Sequence, residues 1–462
     1  MIQALVILGA SGDLTSRFLM PAIVRLHQAG KLPEGFRVVG VAQDDWNTEK
    51  FRSHLEQKLD SSGTADGSGL RETILGKVDY RRADVTRRDQ LARALVDMAD
   101  PVVVYLALPP ALFAPSIESL VTLKMPKGSK VVLEKPFGES LESAQTLNRL
   151  LHESFPERDV FRLDHFLGKQ TVQNILGLRF ANRIFEPVWN THHIEQVEII
   201  WDETITAAGR ASFYDATGAL RDMVQNHLLQ LLALIAMEPL HTLDERTLRD
   251  HKVAVLRAVR RLAPDEVLRQ TVRGRYVRGA IGKKEILPYL QEKGVQAERN
   301  TETFAQVTLS IDNWRWAGVP FVLRTGKALG RDRREIAIHF KPVPHLAFGQ
   351  EAQPTPNVLA IELDPDRIAL KVNVNEPGDL CNLEQVELDT RFQSGTLPAY
   401  ARLLLDILDG DPTLSIRDDE AEESWRIVEP ILQVWDSGGV PLVEYSAGSD
   451  GPHGELNCVA CR

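Results

Sequence analysis

The chain has 462 residues, enough for two or three domains, and 43% of them are hydrophobic, as in ordinary globular proteins. A net charge of −10 argues against a nucleic-acid-binding protein, and no apolar run reaches the length of a membrane span. The N-terminus carries no signal-peptide pattern, so we expect a cytoplasmic protein with no nucleic-acid or membrane partner.

The first third of the chain alternates strand and helix patterns. Residues 3–8 predict a buried strand, and residues 17–30 predict a helix. This alternation indicates βαβ units and a parallel sheet. Residues 1–165 are therefore predicted to be a Rossmann-like α/β domain that binds a dinucleotide. The pattern adds a helix at 111–124 and strands within 36–42, 79–85, 101–110, 130–138 and 159–166.

The remaining residues, 166–462, show a different pattern. Apolar and polar residues alternate in several segments, as they do in half-buried antiparallel strands. We predict an α+β domain with a large, mainly antiparallel sheet flanked by helices. The strands are predicted at 193–205, 304–313, 335–340, 357–365 and 367–375, and the helices at 218–237, 396–409 and 418–435, with a loop at 341–356.

The three cysteines indicate a reducing compartment rather than a disulfide framework. Cys381 stands alone, whereas Cys458 and Cys461 follow His453 in a tail rich in Gly, Ser and Asp. Such a fragment could belong to a metal or redox site, but without a second cysteine pair a solvated tail is the preferred interpretation.

The stretch GASGDL, residues 9–14, directly follows the first predicted strand. Its two glycines allow a tight turn and the approach of a pyrophosphate to the start of a helix. The third glycine of the usual dinucleotide motif is missing, and Asp13 can cap the helix. On this stretch alone, a purely structural turn fits equally well.

A second motif, RLDHFLGK at residues 162–169, is more specific. His165 and Lys169 can supply cationic donors to an anionic group. The helix pattern at 214–239 carries His227, and a carboxylate such as Asp164 could orient that imidazole as a general base. A helical histidine is otherwise more often a satisfied core residue.

With these residues in place, the chain resembles the glucose-6-phosphate dehydrogenase family along nearly its whole length. The resemblance rests on eight ordered motifs: GASGDL, YLALPP, EKPFG, RLDHFLGK, NILGLRFANRIFEPVWN, GALRDMVQNHLLQ, PFVLRTGKAL and AYARLLLDILDGDPTLSIRDDEAEESWRIVEPIL. It implies oxidation of C1 of glucose 6-phosphate to 6-phosphogluconolactone, with hydride transfer to the nicotinamide of NAD or NADP. It also implies that residues 166–462 bind substrate and mediate oligomerisation, that the protein is a homodimer or homotetramer, and that no metal is required.

The same resemblance implies the roles of individual residues. His227 is expected to be the general base and Asp164 the residue that orients it, while Pro136 is expected to form a cis peptide bond. Substrate contacts are expected at His165, Lys169, Lys135, Glu203, Asp215, Lys327 and Asn373. Cofactor contacts are expected at Gly9, Ser11, Gly12, Asp13, Leu14, Gln43, Leu108, Pro109 and Lys135.

The second predicted strand departs from the family pattern. Gln43 stands where the family usually has an arginine that binds the 2′-phosphate of NADP, and two acids, Asp44 and Asp45, follow it. An acid at this strand end typically holds the free ribose 2′-hydroxyl of NAD. We therefore expect NAD or dual use, unless Arg17 or an arginine from another loop supplies the cation and NADP is preferred.

Three further departures affect the expected phosphate pocket. Phe18 and Phe166 replace a lysine and a tyrosine of the family, and Asp332 replaces a cation. Arg331 and Arg333 flank that position and could substitute after a small shift of the loop. The alternatives are therefore a sugar 1-dehydrogenase with a changed C6 preference, for free glucose, another hexose phosphate or another C6-substituted sugar, and a non-catalytic relative that binds or regulates.

Overall fold

The computed structural model describes residues 2–61, 69–348, 354–379, 382–392 and 397–452. The chain divides into two compact units, and the first continues four residues past the predicted boundary at residue 165. The first unit also includes two later segments that the prediction assigned to the second domain. The first unit comprises Met1–Lys169, His241–Arg249 and Gly395–Glu422, and the second Gln170–Leu240, Asp250–Ser394 and Glu423–Arg462.

The first unit contains a six-stranded parallel sheet. Its strands are β1 (Ala4–Leu8), β2 (Arg37–Ala42), β3 (Val78–Arg82), β4 (Val103–Leu106), β5 (Lys130–Glu134) and β6 (Val160–Leu163). The strand order is β3-β2-β1-β4-β5-β6, so the order reverses between β1 and β4. Strands β1, β4 and β6 are buried at every position, as expected where both faces of a parallel sheet are covered. A ligand-binding crevice is expected at the carboxyl edge of this reversal.

Helices connect these strands and supply their cover. They are α1 (Met20–Gln28), α2 (Thr48–Ser61), α3 (Leu70–Gly76), α4 (Arg88–Ala94), α5 (Phe113–Val121) and α6 (Leu141–His152). A π-helical turn, Thr15–Leu19, leads directly into α1. Ser140 caps α6, since its side chain accepts a hydrogen bond from the N–H of Ser143.

The second unit contains a nine-stranded mixed sheet and a two-stranded hairpin. The strands are β7 (Ile194–Asp202), β8 (Thr271–Val277), β9 (Gly279–Ile281), β10 (Lys284–Ile286), β11 (Phe304–Leu309), β12 (Phe321–Gly326), β13 (Arg333–Phe340), β14 (Val358–Leu363), β15 (Asp366–Asn375), β16 (Leu383–Arg391) and β17 (Leu442–Ser446). The large sheet has the order β16-β15-β14-β13-β7-β12-β11-β8-β17, and β9 pairs with β10. Within the large sheet, β7–β12 and β8–β17 are parallel and the other pairs antiparallel.

Seven more helices complete the described fold. They are α7 (Gln170–Phe180), α8 (Ala211–Ala219), α9 (Leu229–Ala236), α10 (Glu245–Ala258), α11 (Pro264–Gln270), α12 (Ala399–Asp409) and α13 (Asp418–Asp436). A second π-helical segment, Leu220–Leu228, joins α8 to α9. Among the described helices, none combines the length and the apolar character that a membrane crossing needs.

Helix α12 belongs to the first unit, although it lies far along the chain. Its buried Leu404, Ile407 and Leu408 share one apolar core with the β1 and α1 residues Leu5 and Ile23. This packing covers apolar surface that residues 1–169 would otherwise expose. The core of the first unit is therefore completed only when this late segment is present.

An ion network around the buried Arg162 fixes the following segment to the same unit. The guanidinium of Arg162 has no exposed surface and meets Glu157 at 2.7 Å. The same carboxylate accepts the N–H of Asp418 at 3.1 Å, at the start of α13. His152 lies 3.0 Å from Glu157 and 3.4 Å from Asp418. Removing the Arg162 guanidinium is costly because the mostly shielded Glu157 carboxylate loses its nearest cation.

The predicted fold class is confirmed, whereas several elements were not predicted. Absent from the sequence analysis were strands β8, β9, β10, β12, β16 and β17, and helices α2, α3, α4, α6, α7, α10 and α11. The described parts of the loop at 341–356 contain no strand or helix, and its residues 349–353 lie outside the described residues. Cys381 also lies outside the described residues. The same holds for the residues on which the tail interpretation rests, His453, Cys458 and Cys461.

Candidate active site

The turn after β1 brings two glycines to the carboxyl edge of the parallel sheet. Gly9 has a φ of +83°, and a Cβ at this position would lie 2.3 Å from the carbonyl oxygen of Ala107. Only glycine fits there. The Gly12 N–H donates to the Gly9 carbonyl at 3.1 Å, and Asp13 is exposed at the start of the helical turn. A pyrophosphate can approach this bare backbone and the helix start behind it, so the turn fits a dinucleotide.

The adjacent strand end adds polar groups at the same edge. Asp44, after β2, accepts a hydrogen bond from the Ser11 hydroxyl at 2.5 Å. This contact joins the glycine turn to the end of β2. Asp45 forms an ion pair with Arg82 at 2.7 Å, and Gln43 is exposed between β2 and these acids. The predicted cofactor residues of the turn and of β2 therefore lie together.

The ends of β4 and β5 supply the remaining predicted cofactor residues. Leu108 and Pro109 follow β4, and the Leu108 side chain would lie 2.8 Å from a Cβ at Gly9. The Lys135–Pro136 peptide bond, which follows β5, is cis, as the sequence analysis predicted. All these positions lie at the carboxyl ends of strands within the first unit, where a doubly wound sheet binds its ligand.

A buried carboxyl lies directly before Lys135. Glu134 accepts a hydrogen bond from the Tyr105 hydroxyl at 2.6 Å and also interacts with the Tyr400 hydroxyl. Burial raises the pKa of Glu134 to about 7, although both hydroxyls favour its charged form. The sequence analysis quoted the EKPFG motif without assigning this residue. Its raised pKa depends on burial, which the local sequence does not reveal.

The end of β6 forms a compact turn that displays the predicted phosphate-binding residues. Asp164 accepts the N–H of Phe166 at 2.9 Å, and the Lys169 N–H donates to the Phe166 carbonyl at 3.0 Å. The His165 ring stacks on Tyr400 with a centroid distance of 5.8 Å and an interplanar angle of 12°. Tyr400, on α12, was not predicted as a site residue. It contacts both Glu134 and His165, so it connects the ends of β5 and β6.

Within the second unit, Glu203 and Lys327 form an ion pair at the end of two parallel strands. Glu203 follows β7 and Lys327 follows β12, and Nζ lies 2.7 Å from a carboxylate oxygen of Glu203. The other oxygen accepts the indole N–H of Trp201 at 3.3 Å. Nζ also lies 5.1 Å from the centre of the Tyr214 ring. Ala328 holds the loop with a φ of +53°, which is unusual for a residue with a Cβ.

The π-helical segment Leu220–Leu228 carries His227, which is 1% exposed. Hydrogen bonds from i to i+5 place residues five apart on the same face of such a segment. Asp222 is five residues before His227, and its charge, together with burial, raises the pKa of Tyr214. Asp222 was not predicted, because an α-helical interpretation of 218–237 would rotate it away from His227.

The predicted sugar ligand Asp215 is buried and used by the protein. Its carboxylate accepts the Tyr289 hydroxyl at 2.8 Å and the Gln296 N–H at 3.0 Å, and Arg299 lies 3.7 Å away. These contacts tie α8 to the segment around residues 289–299. They give Asp215 a structural function in the second unit.

The structure does not bring Asn373 to the Glu203 end of the sheet. The registers of β15, β14, β13 and β7 place it level with Ile194, where β7 begins. Glu203 follows the other end of β7, about 30 Å away along the strand direction. The Asn373 amide donates to the Thr355 carbonyl at 3.0 Å. Asp364, in the turn between β14 and β15, lies at the Glu203 end instead.

Two family models together match nearly the whole chain. Residues 6–174 match the family described as "Glucose-6-phosphate dehydrogenase, NAD binding domain", and residues 176–461 match "Glucose-6-phosphate dehydrogenase, C-terminal domain". The chain belongs to the glucose-6-phosphate dehydrogenase family. It is thus an enzyme of the NAD(P)-dependent glucose-6-phosphate 1-dehydrogenase type, as the motifs predicted.

Individual members of the glucose-6-phosphate dehydrogenase family match over nearly the full length. The chain is 42% identical to glucose-6-phosphate 1-dehydrogenase of Treponema pallidum, covering 97% of this chain and 92% of the relative. It is 38% identical to the Zymomonas mobilis protein of that name, covering 98% and 96%. The Mycobacterium avium crystal structure aligns with a TM-score of 0.86 at 35% identity, covering 98% and 96%.

A second solved glucose-6-phosphate dehydrogenase is described as being in complex with its substrate glucose 6-phosphate. It aligns with a TM-score of 0.89 at 31% identity, covering 100% of this chain and 97% of that one. The agreement extends over both units, each with its own sheet. The NAD binding domain and the C-terminal domain of the family are therefore both present in this chain.

Asp332, which departs from the glucose-6-phosphate dehydrogenase pattern, and its neighbour Arg333 both make polar contacts within the second unit. Asp332 accepts the N–H and the hydroxyl of Thr204, at 2.7 and 3.1 Å, so it fixes the loop beside Glu203. Arg333 is paired with Glu335 at 2.6 Å and with Glu198 at 3.3 Å, so substituting for a lost cation would break these pairs.

The two phenylalanine departures lie in the first unit. Phe166 is 2% exposed and packs edge-on against His165 at 5.0 Å. Phe18 is 43% exposed and lies 5.1 Å from the Tyr400 ring. Each replaces a polar group of the family by an apolar contact close to the stacked His165 and Tyr400.

Proposed function

We propose that the chain oxidises C1 of glucose 6-phosphate to 6-phosphogluconolactone, with NAD or NADP as hydride acceptor. The observation that carries the proposal is the Glu203–Lys327 pair, held at 2.7 Å at the carboxyl end of β7 and β12. A paired carboxylate and ammonium suit a polyhydroxylated, charged substrate. The relatives named glucose-6-phosphate 1-dehydrogenase and the solved complex with glucose 6-phosphate support this choice of sugar.

His227 is proposed to be the general base. It takes the proton of the C1 hydroxyl while the electron pair of the C1–H bond leaves as hydride and the C1=O bond forms. Asp164 is proposed to hold the imidazole tautomer and to stabilise the imidazolium. The bound dinucleotide supplies the acceptor for the hydride. Near-complete burial of His227 fits a base that acts away from bulk water.

Contacts with the sugar are proposed for Glu203 and Lys327, and with its phosphate for His165 and Lys169. Lys135, next to the cis peptide bond, is proposed to contact both substrate and cofactor. Asp222, on the same π-helical face as His227, is a stronger candidate for a sugar hydroxyl than Asp215. Both oxygens of Asp215 already accept hydrogen bonds within the protein.

A second candidate function is a sugar 1-dehydrogenase with a changed C6 preference. The observation that favours it is Asp332, whose carboxylate is fixed by Thr204 where the family has a cation for the phosphate. Phe166 adds to this, since it has no hydroxyl to offer. Losing one charge-assisted hydrogen bond typically costs about 1.5–3 kcal/mol.

The first experiment measures reduced-nicotinamide formation by the purified protein. Glucose 6-phosphate and glucose are each tested with NAD and with NADP, followed by other hexose phosphates. Strong turnover of glucose 6-phosphate supports the first candidate. Weak turnover with it and strong turnover with another sugar supports the second. No turnover with any sugar favours a non-catalytic relative.

The roles of His227 and Asp164 are tested by His227→Asn and Asp164→Asn. We expect kcat to fall by about 10²–10⁴-fold for His227→Asn, as for loss of a general base. His192→Asn, an exposed histidine of the same unit, is the matched control and leaves kcat unchanged. Near-normal turnover of His227→Asn would disprove the assignment.

The expected homodimer or homotetramer also remains a proposal. Light scattering coupled to size exclusion gives the molar mass in solution, and a monomeric mass would contradict it.

Cofactor use is proposed to be NAD or both NAD and NADP, because Gln43 cannot replace a bidentate cation and Asp44 is placed to accept a ribose hydroxyl.

A further inference from the structure

An arginine that the sequence analysis did not assign lies at the ribose end of the dinucleotide edge. Arg82 ends β3 and pairs with Ala42, the last residue of β2. Its Nε donates to the Gln43 carbonyl at 3.2 Å, and its Nη1 lies 2.7 Å from Asp45. The guanidinium therefore lies beside the position where the family usually carries its 2′-phosphate arginine. It reaches this position from the neighbouring strand.

The side chain of Gln43, the residue in the family's arginine position, is already engaged within the first unit. Its side chain hydrogen-bonds the Asp84 carboxylate. Asp44 is held on both sides, because its carboxylate accepts the Ser11 hydroxyl at 2.5 Å and its carbonyl accepts the Tyr80 hydroxyl at 2.9 Å. Both residues are thus fixed by contacts within the first unit.

The Arg82–Asp45 pair, in contrast, is open to exchange. The Arg82 side chain is 60% exposed and that of Asp45 is 87% exposed. An ion pair at such exposure contributes little and breaks readily. A phosphate dianion is a stronger partner for a guanidinium than one carboxylate, since it carries more charge. The exposed Asp45 carboxylate can then turn into solvent.

We propose that Arg82 binds the 2′-phosphate of NADP in place of Asp45 and thereby allows this chain to use NADP as well as NAD. In the NAD complex, the fixed Asp44 accepts the ribose 2′-hydroxyl and Arg82 stays paired with Asp45. Asp45 is a competitor for the phosphate, so it lowers the affinity for NADP. The inference deepens the proposed function, because it concerns the cofactor site of that reaction.

The test compares the wild type with Arg82→Gln, Asp45→Asn and a control. Arg93→Gln is the matched control, because Arg93 is 74% exposed and forms a surface pair with Asp89 in the same unit. The first readout is binding without substrate, measured by calorimetry with adenosine 2′,5′-bisphosphate and adenosine 5′-monophosphate. These probes differ only in the 2′-phosphate. The second is kcat/KM for NADP and for NAD with glucose 6-phosphate.

We expect Arg82→Gln to weaken binding of the bisphosphate and to lower kcat/KM for NADP by about ten- to a hundredfold. The affinity for adenosine 5′-monophosphate and kcat/KM for NAD are expected to stay within twofold of the wild-type values. Asp45→Asn is expected to change NADP values in the opposite direction, and Arg93→Gln to change neither. Opposite signs at two positions cannot arise from a general loss of folding.

Two results would overturn the inference: a wild type that binds both probes equally and turns over only NAD, or an unchanged cofactor ratio in Arg82→Gln. A wild type that discriminates between the probes but has no turnover would count against the proposed function alone. Binding then still decides the assignment of Arg82. If Arg82→Gln has a lowered melting temperature, Arg82→Lys is measured in its place, because lysine keeps the charge and loses the bidentate geometry.

Discussion

Glu134 makes the stability of this protein depend on pH. Burial raises the pKa of its carboxyl from an ordinary 4.5 to about 7. Between these values the folded protein keeps a proton that the unfolded chain has lost. The free energy of unfolding therefore falls as pH rises through this window, and the full loss is present above pH 7. At about 1.4 kcal/mol per pH unit, the loss amounts to about 3 kcal/mol.

The substitution Glu134→Gln removes this titration and keeps a carbonyl that can accept the Tyr105 hydroxyl. We expect the free energy of unfolding of the variant, minus that of the wild type, to rise by about 2–3 kcal/mol between pH 5 and pH 8. Urea unfolding at both pH values measures it. Glu118→Gln, an exposed position on α5, is the control and leaves the pH dependence as in the wild type. A variant-minus-wild-type difference that is equal at both pH values would refute the reasoning.

Three other substitutions test particular contacts. Gly9→Ala is expected to weaken binding of NAD and NADP equally, by calorimetry, because its Cβ would lie 2.3 Å from the Ala107 carbonyl oxygen; unequal effects would contradict this. Arg162→Met is expected to destabilise the protein by about 1–3 kcal/mol in urea, because Glu157 and Asn148 lose their hydrogen bonds from this guanidinium. Asn373→Ala is expected to leave kcat/KM within twofold, and a tenfold loss would restore the sugar-binding role predicted for it.

The architecture of the first unit could be predicted largely from its sequence. Runs such as Leu5–Leu8 and 102–106 are short, apolar and separated by helical patterns, which is the pattern of a buried parallel sheet. Membership of α12 in that unit could not be predicted. Its apolar periodicity shows that one face is buried, but not which partner covers it.

The candidate site shows the same limit. Glu203 and Lys327 were assigned from the family resemblance, and their 2.7 Å contact joins two segments that are distant in sequence. Asn373 was placed in the site by resemblance, yet strand register puts it at the opposite end of β7. Register depends on pairings across four strands. A single segment does not contain this information.

Asp222 and Glu134 were missed for different reasons. Asp222 shares a face with His227 only because the segment is π-helical, and an ordinary helical period of 3.6 residues separates them. Glu134 has its unusual pKa because the fold buries it, and Tyr400, which also contacts it, comes from a helix more than 250 residues later. Both signals arise from tertiary packing.

The late arrival of α12 has a consequence for biosynthesis. All six strands of the parallel sheet have been synthesised once residue 163 is added, but the helix that completes their core ends at residue 409. Translation proceeds at about 5–20 residues per second. The apolar surface of the nascent first unit therefore stays uncovered for on the order of tens of seconds. During that interval it is a natural client for chaperones, and a message truncated before α12 would yield a sheet without its last cover.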